Sequence, residues 1–177
     1  MPNWNTNKVM IEGDDYEISR LLETAIGSAE AKGENEIPFS MNNFYPIPLK
    51  DNGEEIDEWG NWRLNNWGVK WDVGSSFCER VPNKVELCYN TPWGPNDTFW
   101  DRITEDFPKL KISLAYYEGG SMFGGKREWE NGEETNEEYY TGGADVEDMK
   151  CFANAVKRIG FEWAHDEILE CIAEEAA

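Results

Sequence analysis

The segment GSMFGGK, residues 120–126, spells G-x-x-x-x-G-K, a spacing that cradles phosphates between a strand and a helix. That chemistry needs more than glycines. A Ser or Thr must follow the lysine to hold magnesium, and a helix must start there so that its N–H groups face the phosphate. Here Arg127 follows, and REWENG beyond it has no helical period, so the glycines are read as serving a β-turn or bulge. His165, the only histidine, stands beside Asp166, Glu167 and Glu170, types that ligate metals. A single imidazole on a terminal helix, with no CxxC among Cys78, Cys88, Cys151 and Cys171, makes a metal site the weaker reading, and no Ser-His or Cys-His pairing is evident. With 36 acids, close carboxylate pairs arise without any acid/base role. No catalytic residue, metal or cofactor is assigned, and the expectation is a non-enzymatic protein.

Two groupings remain as binding candidates. Residues 128–148 hold nine acids and no base: Glu128, Glu130, Glu133, Glu134, Glu137, Glu138, Asp145, Glu147 and Asp148. The bland reading is a solvated face. The functional one is a carboxylate array that copies the phosphate spacing of nucleic acid and occupies a partner's basic groove. The second grouping is WGNWRLNNWGVKWDVG, residues 59–74, with Trp59, Trp62, Trp67 and Trp71. Trp59 and Trp62 are i, i+3 neighbours, and Trp71 falls in register with Val69 and Val73, so packing is the preferred reading. The alternative is an aromatic pocket for a small molecule or peptide. A stacking platform for RNA or single-stranded DNA is disfavoured, because Arg63 and Lys70 are the only bases in the block and Asp51, Glu54, Glu55, Asp57 and Glu58 precede it.

Composition points the same way. The chain has 177 residues and a net charge of −20, a field that repels phosphate backbones and favours a protein partner with a basic surface. Its 40% hydrophobic and 14% aromatic content is that of a folded chain. The opening MPNWNTNKVMIEG is too polar for a signal peptide. No window approaches the roughly 18 apolar residues of a membrane span. A cytoplasmic protein with no membrane partner is expected, its cysteines buried and inert.

The elements that must position these residues are legible in part. Val9 and Ile11 alternate with Lys8, Met10 and Glu12, a strand ended by Gly13. Asp14 or Asp15 caps a helix with Ile18, Leu21, Leu22, Ala25, Ile26 and Ala29 at helical spacing, running to Gly33. Residues 34–58, with three prolines and an Asn-Gly turn, read as an irregular connection, and 57–67 as a short helix closed by Gly68. Strand period returns at Val69, Trp71 and Val73 and runs on to Val81; after Pro82-Asn83, Val85, Leu87 and Tyr89 share a face. Asn96 or Asp97 caps a helix striped by Phe99, Trp100, Ile103 and Phe107. Leu110, Ile112, Leu114 and Tyr116 then form a clear strand. The order β-α-(insertion)-β-β-α-β is the split βαβ of an α+β, ferredoxin-like core. A hairpin strand turning at Asn131-Gly132 and a C-terminal helical pair follow, striped by Met149, Phe152, Val156 and Ile159, then by Ile168, Leu169 and Ile172. These stripes either pack on the core or form a homodimer seam.

The opening MPNW with Asn7, the block NNWGVKWD (65–72), TPWGP (91–95) and the GGSMFGG loop together resemble the YubB-like family of small phage and conjugative-plasmid proteins. That resemblance spans roughly residues 1–135 and implies a ferredoxin-like domain and a mobile-element origin, hence a bacterial host cytoplasm, with no catalytic residue to carry over. The expected organisation is therefore a ferredoxin-like domain over 1–135, with its insertion at 34–68, then an acidic linker and helical pair over 136–177. The expected function is an acidic effector that binds a host protein, with a nucleic-acid-handling defence factor inhibited by mimicry as the sharpest form.

Overall fold

The computed structural model describes residues 2–30 and 35–175. In chain order the elements are β1 (Trp4–Glu12), α1 (Asp15–Ile26), β2 (Glu36–Phe39), α2 (Trp59–Trp67), β3 (Gly74–Val81), β4 (Lys84–Pro92), α3 (Asp97–Asp106) and β5 (Lys111–Glu118). They continue with β6 (Phe123–Glu130), β7 (Glu133–Thr141), α4 (Val146–Arg158) and α5 (Glu162–Glu175). Among the described residues this is a mixed α+β fold with one seven-stranded sheet, ordered β2-β3-β4-β1-β5-β6-β7 and antiparallel at every pairing.

The central strand β1 sets the two faces. Its odd positions Asn5, Asn7, Val9 and Ile11 point inward, and Trp4, Thr6, Lys8, Met10 and Glu12 face the other way. On the inward face lie α1, α2 and α3. The Asp14 side chain caps α1 by accepting from Tyr16 N at 2.9 Å, and Ile18, Leu21, Leu22 and Ala25 bury the amphipathic stripe. From α3 come Phe99, Trp100 and Ile103, against Val85, Leu87, Ile112 and Leu114 of the sheet. Burying such side chains contributes about 1.5–3 kcal/mol each. Three polar tips in this core satisfy one another: Trp100 Nε1 donates to Tyr89 Oη at 2.8 Å, which donates to Asn96 Oδ1 at 2.9 Å.

The opposite face is covered on its β5 to β7 side, among the described residues. There Ala115 and Tyr117 meet Phe152 and Val156 of α4, Ile159 and Phe161 of the link that follows it, and Ala164 and Ile168 of α5. Both C-terminal stripes thus pack largely on the chain's own sheet, with Leu169 of the second left exposed. The boundary expected between residues 135 and 136 falls inside β7, which pairs with β6 along its length.

The structure corrects the expected elements in four places. The first helix ends at Ile26, where Gly27 caps it, and its expected stop at Gly33 lies outside the described residues. Residues 34–58 contain β2, an edge strand on β3, and a 3-10 turn at Met41–Asn43; Phe39, Met41, Tyr45 and Ile47 enter the core. Pro38 fits because β2 is an edge. Residues 69–73 are not strand. Gly68 adopts a left-handed conformation (φ 77°) that closes α2, and the Asp72 carboxylate accepts from Ser40 Oγ at 2.6 Å, Met41 N at 2.7 Å and Val73 N at 2.8 Å, bending the chain until β3 begins at Gly74. Finally, the hairpin after β5 adds two strands, β6 and β7, turning at Asn131 and Gly132 (φ 57° and 80°).

Candidate functional site

The four tryptophans of 59–74 separate in space. Trp67 is buried, with Nε1 donating to the Tyr45 carbonyl at 3.1 Å and its ring edge-on to Trp62 at 5.7 Å. Trp59 and Trp62 pack partly buried on the core, with Arg63 over the rings of Trp59 (4.9 Å) and Trp67 (5.3 Å). These three do packing work. Trp71 does not: it leaves the core and meets Trp93 at 5.2 Å and Trp4 at 6.3 Å, the three being 37%, 50% and 53% exposed.

Three separate elements build this cluster. Trp4 opens β1, Trp93 follows β4 directly beyond the Trp4–Pro92 pair, and Trp71 lies on the connection bent by Asp72. Trp93 has φ +63°, a left-handed conformation that is a genuine outlier for a bulky residue. It is held there by its own N–H on Asn3 O at 2.8 Å and by Thr91 Oγ1 donating to Gly94 O at 2.6 Å. Beneath the turn, the fully buried Asn5, Asn7 and Thr91 form a polar network: Asn7 Nδ2 donates to Thr91 Oγ1 at 2.7 Å and Asn5 Nδ2 to Asn7 Oδ1 at 2.9 Å. Backbone strain of this kind persists only where the surroundings over-determine it, and it concentrates at functional sites. Sequence reading missed Trp4 and Trp93 as members. The available signal was Pro92 and Gly94 flanking Trp93, a turn that leaves the side chain outside the sheet.

The nine acids of 128–148 are split between two sheet faces and the α4 start. Glu128 pairs with Lys126 (2.9 Å), Glu130 with Lys111 (3.7 Å), Glu134 with Arg127 (2.6 Å) and Glu138 with Arg158 (3.6 Å). Hydrogen bonds from the Tyr140 hydroxyl and Asn136 hold the Glu138 carboxyl below the usual carboxylate range. Asp145 caps α4 through Asp148 N at 2.8 Å. Glu133, Glu137, Glu147 and Asp148 are exposed. The array is therefore partly neutralised from within, and Arg127 ties it to α3.

The remaining sequence candidates acquire structural roles. In GSMFGGK, the N–H groups of Gly120 and Ser121 donate to the Glu118 carboxylate, both at 2.7 Å, so a protein carboxylate already sits on that turn. Gly125 lies under the Tyr116 ring, whose hydroxyl a side chain at residue 125 would strike. His165 Nδ1 lies 2.8 Å from Asp166 Oδ1, and no cluster of three metal-ligating side chains occurs among the described residues. On the sheet face beside α4 a cleft of about 400 Å³ is lined by Lys8, Lys111, Lys126 and Arg158, interleaved with Glu12, Glu86 and Glu128. Lys8–Glu86 (3.3 Å) and Lys126–Glu128 pairing cancels much of its charge.

Comparison with known proteins bears on the fold. A family model described as the ferredoxin-like domain in Api92-like protein matches residues 66–156, from the end of α2 into α4. That span includes Trp71, Trp93 and the acidic hairpin. Among solved structures, the crystal structure of a protein api92 from Yersinia pseudotuberculosis is similar, with a TM-score of 0.55 and 10% identity over 82% of this chain and 100% of that chain. No curated protein matches the sequence.

Proposed function

We propose that this chain, which belongs to the family carrying the ferredoxin-like domain of Api92-like proteins, is a non-enzymatic binding protein for a partner with a basic surface. The observation that carries the reading is the exposed Trp4–Trp71–Trp93 cluster, assembled from three elements around a Trp93 backbone at positive φ. Aromatic anchors of this kind dominate protein interfaces, and their π faces attract cations. A net charge of −20 supplies long-range attraction to a cationic partner and repulsion from phosphate backbones. In the fold, the antiparallel order β3-β4-β1-β5, with α1 and α3 on one face, supports assigning the split βαβ core to these elements.

The narrower form follows from the YubB-like resemblance: a phage- or plasmid-encoded effector whose partner is a host protein that handles nucleic acid. Exposed Glu133, Glu137, Glu147 and Asp148 add to the negative field that would draw in such a partner. The test uses immobilised chain and its Trp71→Ala/Trp93→Ala double variant on bacterial lysate, eluted across a salt gradient. A partner retained by the parent, released by rising salt and lost by the variant supports the reading. Capture indifferent to salt and to both tryptophans overturns it.

A further inference from the structure

Beside Trp4 a cleft of about 320 Å³ opens between the start of β1, the β5–β6 turn and α5. Its aromatic walls are Trp4, Tyr117 and Trp163, with Tyr117 and Trp163 edge-to-face at 5.7 Å. Phe161 backs both rings, at 6.0 Å from Tyr117 and 6.3 Å from Trp163. Two carboxylates also line it. Glu167 is exposed on α5, four residues after Trp163, and Glu118 is buried with its oxygens accepting from Gly120 and Ser121 N–H, so Glu167 is the carboxylate open to a ligand. Helix α5 carries six acids and no Lys or Arg. Beyond the effect of burial, Glu167 and Glu118 push the Tyr117 phenol up, so the negative potential reaches the wall itself.

Rings that converge beside carboxylates recognise organic cations. We propose that this cleft receives one arginine side chain of the basic partner, its guanidinium stacked on Trp163 or Trp4 and paired with Glu167. The proposal rests on the reading of the chain as a binder of basic proteins and names the anchor that reading requires. Guanidinium is chosen over ammonium because a planar cation stacks on indole while its edge donates to a carboxylate. The chain's own contacts follow the same preference: Arg20, Arg63, Arg102, Arg127 and Arg158 all lie over aromatic rings, against Lys70 alone of the lysines among the described residues. None of those contacts involves Trp4, Tyr117 or Trp163.

The experiment is a proton–nitrogen NMR titration of the intact chain with the peptide acetyl-Gly-Arg-Gly-amide, read at the indole N–H signals. The Trp163 and Trp4 signals should move while buried Trp67 and Trp100 stay still. Replacing arginine by neutral citrulline should weaken binding by about fivefold or more. Glu167→Gln and Trp163→Ala should each weaken it similarly, and Tyr16→Ala, on exposed α1 surface, should leave it unchanged. Equal response to citrulline, equal response to a lysine peptide, or shifts that ignore Trp163 overturn the assignment. The two failures are distinguishable. A silent cleft with salt-sensitive, Trp71/Trp93-dependent capture removes this inference alone, whereas a responsive cleft without capture removes the protein-partner reading.

Discussion

Arg127→Met would test how far the acidic hairpin is held by one cation. The Arg127 side chain is 11% exposed, stacks over Trp129 at 4.8 Å and reaches three carboxylates. It approaches Asp101 through two contacts of 2.8 and 3.2 Å, Glu134 at 2.6 Å and Asp97 at 3.4 Å. Breaking a fully buried pair costs about 3–5 kcal/mol, because the abandoned charge stays desolvated. Here the three carboxylates are 34–43% exposed, so water screens what is left behind. Methionine also keeps the packing on Trp129. The expected loss is therefore about 2–3 kcal/mol, or roughly 4–12 °C in Tm for a chain of this size. Urea unfolding followed by circular dichroism reads it directly. Arg127→Lys, which keeps the charge without the two-pronged contact, should fall between. As pH drops and the carboxylates protonate, the gap between parent and Arg127→Met should close. A Met variant within about 0.5 kcal/mol of the parent at neutral pH would refute the reasoning.

Asp72→Ala removes the acceptor for Ser40 Oγ and for the N–H groups of Met41 and Val73; urea unfolding should show a loss of about 2–3 kcal/mol, with Trp71 emission shifting as its connection loosens. Asp97→Asn should raise Tm at neutral pH. Burial raises the Asp97 carboxyl above its ordinary value, so its share of stability is complete below the unfolded pKa and is lost as pH rises through the folded one. The gain should therefore vanish in acid, and a variant that gains most at low pH would reverse the sign of the argument. Alkylation with iodoacetamide at pH 8, followed by mass spectrometry, should label exposed Cys151 and Cys171 first. Cys88 should lag far behind, since burial and then Glu86 push its thiol up to about 11.

Where local periodicity decided the outcome, the sequence was legible. Amphipathic α1 and α3, the β4 and β5 alternations, the Asn131-Gly132 hairpin and the Gly68 helix stop all follow from short-range chemistry. Residues 69–73 misled because Val69, Trp71 and Val73 alternate as a strand would, while the Asp72 carboxylate binds donors some thirty residues upstream. No local pattern encodes that contact. β2 was hidden for a related reason: Ile37 and Phe39 are too few to show a period, and only pairing with β3 makes them a strand. The expectation of buried cysteines fails: Cys78 and Cys88 are only half-buried, and Cys151 and Cys171 are exposed on the C-terminal helices, where composition gives no positional signal. The Trp4–Trp71–Trp93 cluster needed the register Trp4–Pro92, a long-range fact, to bring its outer members together.

The location of that cluster follows from what the two broad sheet faces already do. One face is filled by α1, α2, α3 and the residues around Phe39 and Met41. The other, the surface on which a sheet could stack unpaired bases, carries α4 and α5 on its β5 to β7 side and a ladder of ion pairs: Lys8–Glu86, Lys84–Glu12, Lys111–Glu130 and Lys126–Glu128. Each lysine there is answered by a glutamate on the same or an adjacent strand, so the face offers phosphates little net attraction. Pairs this exposed contribute about 0–1 kcal/mol each, so their main effect is on the field rather than on stability. What remains is the end of the sheet where β1 begins and β4 finishes. There the chain presents indoles instead of charge and holds Trp93 at a positive φ, a backbone conformation costly for a bulky residue.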